Sequence, residues 1–253
     1  MSEYLPLQRQ RETSLDLGRV TTVLFDLDGT LIDVDMQRFI PAYLHRLTAR
    51  LNDLAESRRV ARTIWQAVEE MLHVSDGHKT MEQVLLDRLQ STCGIDAAAY
   101  RQRLALFLAH DLAELQPLVT PHPLAHDLVR TCLDHGWQPV LATNPIFPAA
   151  AVEARLLWGG LAGLPFRLVS AYEEFRHCKP HNGYFQQLLA ALGSRAEACL
   201  MVGNDTEHDL SAGELGMQTC LLTTWQIDRG QGRYRPDWQG EHAELLQLLH
   251  RHR

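Results

Sequence analysis

No apolar run in the 253-residue sequence approaches the ~20 residues that a membrane-spanning helix needs. The first twenty residues are polar and mixed in charge, without the apolar stretch of a secretory leader. Positive charge is not in excess either. Lys and Arg number 24 against 31 Asp and Glu, a formal net charge of -7, which gives no general attraction for nucleic acid or an anionic membrane. The five cysteines, Cys93, Cys132, Cys178, Cys199 and Cys220, are odd in number and form no CxxC pair, which argues against a disulfide framework or a structural zinc site. These absences leave a soluble, cytoplasmic protein with reduced thiols as the expectation. A negative chain also draws in no anionic substrate by its overall field, so any affinity for one must be local.

Hydrophobic residues make up 45% of the chain, enough to bury a core. Three short apolar runs each stop at polar residues. Val20 to Phe25 runs into Asp26, Pro139 to Ala142 into Thr143 and Asn144, and Cys199 to Val202 into Gly203, Asn204 and Asp205. Phe166–Val169 and Thr219–Leu222 read as two further strands. Runs this short and this continuous suit strands buried on both faces. Helical patterns alternate with the later ones, over Pro148–Trp158 and Asn182–Leu192, with a last helix over Glu241–His250. Alternation of this kind implies a parallel α/β sheet, whose ligands bind beyond the carboxyl ends of the strands. The stretch Asp228–Arg235 reads as a loop.

Residues from about Val34 to Val119 differ. Helical patterns cover Arg38–Arg50, Arg58–Leu72, Met81–Gln90 and Ala97–Leu115, with no convincing strand among them. The region reads as an inserted helical subdomain (34–119) within a core made of residues 1–33 and 120–253. Within it, the polar break Ser75 to Thr80 reads as a solvated loop. Trp65, Trp137 and Trp158 read as buried or half-buried anchors. His122 and His126 are four apart but lack a third partner, so they are not read as metal ligands.

Phe25-Asp26-Leu27-Asp28-Gly29-Thr30 places two aspartates between an apolar strand and a glycine turn. A plain strand end with aspartates hydrogen-bonding their own turn gives a similar string. The full string, followed by Leu31, resembles the first motif of the haloacid dehalogenase superfamily. Three more stretches resemble its later motifs in the same order. Thr143-Asn144 ends the second strand, Lys179-Pro180 opens a helix, and Gly203-Asn204-Asp205-Thr206-Glu207-His208-Asp209 forms an acidic loop. The resemblance spans about Val20 to Leu222. It implies a five-stranded Rossmann-like sheet sandwiched by helices, with the helical insert as a cap.

The resemblance implies that Asp26 attacks phosphorus and carries an aspartyl-phosphate. Asp28 protonates the leaving oxygen and then takes a proton from water. Thr143 and Asn144 bind the phosphoryl group, and Lys179 offsets its charge. Magnesium is the implied metal, held by Asp26, the main-chain carbonyl of Asp28 and an acid of the last loop. Asn204 stands where the family usually has aspartate, so Asp205 is taken as the ligand, with Asp209 and Asn204 holding ligands or water around it. The metal has a physical reason. Two unit charges about 4 Å apart repel by roughly 4 kcal/mol at an effective dielectric near 20, and a carboxylate attacking a phosphate faces several such pairs. Arg176 is read as surface charge or a second cation. The expected reaction is hydrolysis of a small phosphorylated metabolite. A phosphomutase, a haloacid dehalogenase and a non-catalytic binding protein remain as alternatives, and Asp28 argues against the dehalogenase because halide needs no proton donor. A monomer is assumed.

Overall fold

The computed structural model describes residues 15–73 and 76–252; Ser75 of the expected polar break lies outside them. Five parallel strands form one sheet: β1 (Thr22–Phe25), β4 (Gln138–Leu141), β5 (Cys199–Gly203), β6 (Gln218–Leu222) and β7 (Trp238–Gly240), in the order β4-β1-β5-β6-β7. β1 is buried along its whole length between β4 and β5. Its register pairs Phe25 with both Leu141 and Val202. The residues that follow these strands therefore emerge in a row along one edge of the sheet.

Alternate side chains of the strands feed two apolar layers. Leu24, Val140 and Met201 pack with Tyr184, Phe185 and Leu188 of helix α7 (Asn182–Leu192). Val23, Phe25, Leu141 and Val202 face the other way, toward α5 (Ala125–Asp134), α6 (Ala149–Trp158) and α8 (His242–Arg251). This second layer runs without a break into the insert.

The insert consists of α1 (Met36–Ala49), α2 (Ser57–His73), α3 (Met81–Cys93) and α4 (Ala97–His110), followed by a 3₁₀ stretch Leu112–Leu118. Aromatic edges join it to the core. Phe147 lies 6.0 Å from Phe39 and 5.2 Å from Tyr43, and Tyr43 lies 4.8 Å from Phe107. Two short antiparallel strands, β2 (Ile32–Val34) and β3 (Val119–Pro121), carry the chain into the insert and out of it.

Four sequence expectations need correction. Phe166–Val169 is not a strand; it touches β4 through a single bridge, Leu141 to Val169. The segment does run beside β4, with Leu141 N–H donating to Leu168 and Ser170 N–H to Leu141. Pro139, two residues earlier on the same side of β4, has no N–H to continue the ladder. The fifth strand is β7 instead, three residues with no β-branched run to announce them. The second correction concerns Val34 and Val119, which are strand residues rather than part of an all-helical stretch. Third, the helix expected to reach Leu115 ends at His110. Trp65 is the fourth: it is 48% exposed, not an anchor, and its indole N–H donates to Glu69 one turn along α2.

Candidate active site

Asp26 follows β1 directly. Its N–H donates to the Val202 carbonyl at 3.0 Å, extending the β1–β5 ladder by one residue and fixing the backbone. The carboxylate accepts Lys179 Nζ at Oδ1 (2.8 Å) and the Thr30 hydroxyl at Oδ2 (3.3 Å). Lys179 comes from the loop before α7 and is only 2% exposed. It donates a second time, to Asp209 Oδ1 at 2.6 Å.

Burial works against the lysine's charge, yet Asp209 and Asp26 outweigh it and raise the Lys179 pKa. Asp26 is also raised, to about 6, first by burial; Lys179 pulls it down and Asp209 pushes it up. Acid and base rise together because burial outweighs the pull of Lys179 on Asp26, while the two carboxylates outweigh burial at Lys179. At neutral pH the lysine is charged and Asp26 is mostly ionised.

Glycine is required at two places here. Gly29 has φ +85°, and a Cβ there would sit 2.1 Å from the Asn204 amide nitrogen. A Cβ on Gly203 would sit 2.1 Å from Asp209 Oδ2, the atom that accepts both the Asn204 and Asp205 N–H groups at 3.0 Å. The two loops thus close on each other through side chains that only glycine admits. Asn204 joins them, accepting from Thr30 and donating to the Trp225 carbonyl.

Asp28 is held from the other side. Arg155, fully buried on α6, donates from Nη1 to Asp28 Oδ2 at 2.5 Å, and its guanidinium lies 4.5 Å from the centre of the Phe147 ring. Asp28 Oδ1 is buried with no hydrogen-bond partner. Burial raises the Asp28 pKa, Arg155 opposes the shift and Asp26 adds to it.

Asp205 is paired with Arg229, from the loop before β7. Nε lies 2.9 Å from both carboxylate oxygens and Nη2 2.6 Å from Oδ2. Oδ1 also accepts the N–H groups of Glu207 and His208. Burial opposes ionisation most strongly, but the Arg229 hydrogen bonds, His208 and the two backbone N–H groups together outweigh it and lower the Asp205 pKa. Burial lowers His208 to about 4, so its ring is neutral. Asn144 accepts the Lys179 N–H at 2.8 Å and lies 3.3 Å from His208 Nδ1. The Thr143 carbonyl is fixed by the hydroxyls of Ser170 (2.6 Å) and Tyr184 (3.0 Å).

These side chains surround a cavity of about 270 Å³, lined by Asp26, Asp28, Asp205 and Asp209 and by two cations, Lys179 and Arg229. With all four acids ionised and Arg155 counted with its partner Asp28, four negative charges face three positive ones, an excess of one. Among the described residues, no three acidic, histidine or cysteine side chains enclose a metal on their own, because Lys179 and Arg229 stand between the carboxylates. Magnesium asks for less, one or two carboxylates with carbonyl oxygens and waters. The excess charge and the all-oxygen acidic set fit such an ion.

All eight residues singled out from the sequence, Asp26, Asp28, Thr143, Asn144, Lys179, Asn204, Asp205 and Asp209, line this one cavity. Arg155, Arg229 and His208 were missed. Arg155 did carry a signal: it shares a helix face with Ala151 and Val152, and a lone charge on an apolar stripe asks for a buried partner. Arg229, in a glycine- and arginine-rich loop, carried none. Arg176 bridges to the insert, donating to the carbonyls of Gly77 and His78.

Known proteins resemble this chain in sequence and in fold. A pyrophosphatase PpaX from Anoxybacillus flavithermus is 26% identical over 237 residues, covering 91% of this chain and 97% of its own. Two solved structures share the fold. One is YfnB from Bacillus subtilis, a HAD-hydrolase described as putative and bound to magnesium (22% identity, TM-score 0.55, 92% of this chain and 99% of that one). The other is a predicted phosphoglycolate phosphatase from Haemophilus somnus (19% identity, TM-score 0.54, 91% and 98%). A model of the haloacid dehalogenase-like hydrolases matches residues 20–215, and with most of its length so matched the chain belongs to that family.

Proposed function

We propose that the protein is a magnesium-dependent hydrolase of small phosphomonoesters that works through a phosphorylated Asp26. The observation that carries this reading is the buried Asp26–Lys179–Asp209 arrangement, with Asp28 clamped two residues further on. A carboxylate that is mostly ionised at neutral pH needs no base to make it a nucleophile.

Asp26 attacks phosphorus, and the bond from phosphorus to the ester oxygen breaks. Asp28 gives its proton to that oxygen, and the raised pKa is the direction a donor needs. Arg155 fixes Asp28 through one oxygen and leaves the other to carry the proton. Water then attacks phosphorus and loses a proton to Asp28, and the bond to Asp26 breaks, releasing inorganic phosphate. Lys179 stays charged throughout and offsets negative charge at Asp26 and the phosphoryl group. The Thr143 hydroxyl donates to a phosphoryl oxygen, and Asn144 holds the Lys179 main chain in place.

Asp26, the Asp28 carbonyl and Asp205 would hold magnesium, with Asp209 and Asn204 supporting them. Bound there, the metal supplies positive charge against the repulsion between Asp26 and the phosphoryl group. For Asp205 to serve, it must exchange its pair with Arg229 for the ion. The helical insert acts as a cap that excludes bulk water. The test is phosphate release from a panel of phosphomonoesters, with magnesium or with EDTA, by the wild type and Asp26→Asn. Metal-dependent release that the substitution abolishes is expected; full activity in Asp26→Asn refutes the mechanism.

A further inference from the structure

The charged floor of the cavity carries two cations, and they are held differently. Lys179 is 2% exposed and bonded to two carboxylates, Asp26 and Asp209. The Arg229 side chain is 38% exposed and bonded to one, Asp205. Its backbone is fastened to the loop that carries Asp205. Ile227 N–H donates to the Asn204 carbonyl at 2.8 Å, Thr206 N–H to the Ile227 carbonyl at 3.0 Å, and Arg229 N–H to the Thr206 hydroxyl at 3.1 Å. The guanidinium can therefore change partner by side-chain rotation while its Cα stays beside the site.

When Asp205 holds magnesium, Arg229 loses its carboxylate, and two features direct the freed guanidinium. One is its other neighbour. Nη2 lies 3.3 Å from His208 Nδ1, which lies 3.3 Å from Asn144 Nδ2. Both nitrogens are donors, so Nδ1 accepts from them. Asn144 in turn holds the main chain of Lys179. Arg229 thus already borders the side chains that would bind the phosphoryl group. The other feature is charge. With Asp28 protonated as the donor, Asp26, Asp205 and Asp209 are cancelled by Lys179, Arg155 and Arg229. A divalent ion adds two positive charges, and a phosphomonoester dianion cancels those two. This balance closes only while Arg229 stays in the cavity. A guanidinium also suits phosphoryl oxygens as it suits a carboxylate, through two parallel N–H donors.

We propose that Arg229 is a phosphoryl-binding catalytic residue, which Asp205 holds in reserve until the metal site is filled. Arg229 exchanges the Asp205 carboxylate for two oxygens of the transferring phosphoryl group. The inference rests on the phosphomonoesterase reading, with Asp205 as a metal ligand.

Arg229→Gln should then move two affinities in opposite directions. Calorimetry should show magnesium bound several-fold more tightly than by wild type. Inorganic phosphate, titrated at saturating magnesium, should bind about tenfold or more weakly. Arg229→Lys keeps the charge without the fork and should recover only part of that loss. Phosphate bound by Arg229→Gln as tightly as by wild type overturns the inference, as does full recovery in Arg229→Lys or an unchanged magnesium affinity in Arg229→Gln. Should Arg229→Gln fail to fold by circular dichroism, a wild-type phosphate affinity in Arg229→Lys refutes the fork by itself. Turnover separates the two readings. If phosphomonoesters are hydrolysed and Arg229→Gln binds phosphate normally, the inference fails alone. If none is hydrolysed and phosphate binding still falls in Arg229→Gln, the hydrolase reading fails and the arginine keeps its role as the anion's ligand.

Discussion

The floor and the wall of the cavity are built on opposite principles. On the floor, Asp26, Asp205 and Asp209 each hold a cation, a backbone N–H or both, and the positions are set by loops that leave parallel strands in register. The wall, the apolar part of the lining, is carried half by helices of the insert, through Met36, Ile40 and Leu72, and half by core loops, through Ile146, Phe147 and Ile227. A floor of interlocked charges tolerates almost no substitution. A wall of side chains can be exchanged one at a time.

Substitutions test this contrast, and the largest effect belongs to the floor. Asp26→Asn should lower phosphate release by at least ~10³-fold while circular dichroism shows an intact fold. Lys179→Met comes next. It leaves two buried carboxylates without their shared ammonium, a loss of about 3–5 kcal/mol, and the thermal midpoint should fall by about 2–4 °C for each of these. A midpoint within 2 °C of wild type would show that the floor is less interlocked than its geometry implies. Arg229→Gln has a smaller effect and the opposite sign. It frees Asp205, so magnesium should bind several-fold more tightly by calorimetry, whereas Asp205→Ala should weaken binding. If Asn204→Ala weakens it more than Asp205→Ala, Asn204 is the closer ligand.

The smallest effect lies beside the site. His122 stacks on His242 at 3.6 Å, and its pKa is lowered to about 4, first by burial and then by His242. The folded protein keeps this ring neutral where the unfolded chain, near 6.5, takes a proton. Its contribution is therefore complete above about pH 6.5 and is lost as pH falls toward 4. His122→Gln should flatten the decline of the thermal midpoint across that window. An unchanged slope would rule the group out.

The same contrast explains what could be read from sequence. The acids and the lysine of the floor were legible because each sits beside a landmark: Asp26 and Asp28 after an apolar run, Lys179 before a proline, Asp205 and Asp209 behind a glycine. Parallel pairing then forces these strand ends together. Arg155 and Arg229 lie far along the chain from the carboxylates they hold, and no local pattern distinguishes Arg229 from a solvated arginine. The wall left no mark at all, because Ile40 and Leu72 look like any helical apolar residue until the fold shows them lining a cavity. Among the elements, α5 and β7 escaped notice. α5 lay behind the proline-rich turn at Pro121 and Pro123, and β7 has only three residues.

The pairing of β2 with β3 has one more consequence. Val34 sits opposite Val119, so the two ends of the insert lie side by side, one strand spacing apart, ~4.8 Å. Whatever is spliced between them need only begin and end at neighbouring points. The sheet does not register how long the excursion is. The junction works as a socket: a different helical unit with adjacent ends could be plugged in, and the chain would still return to β4 in register.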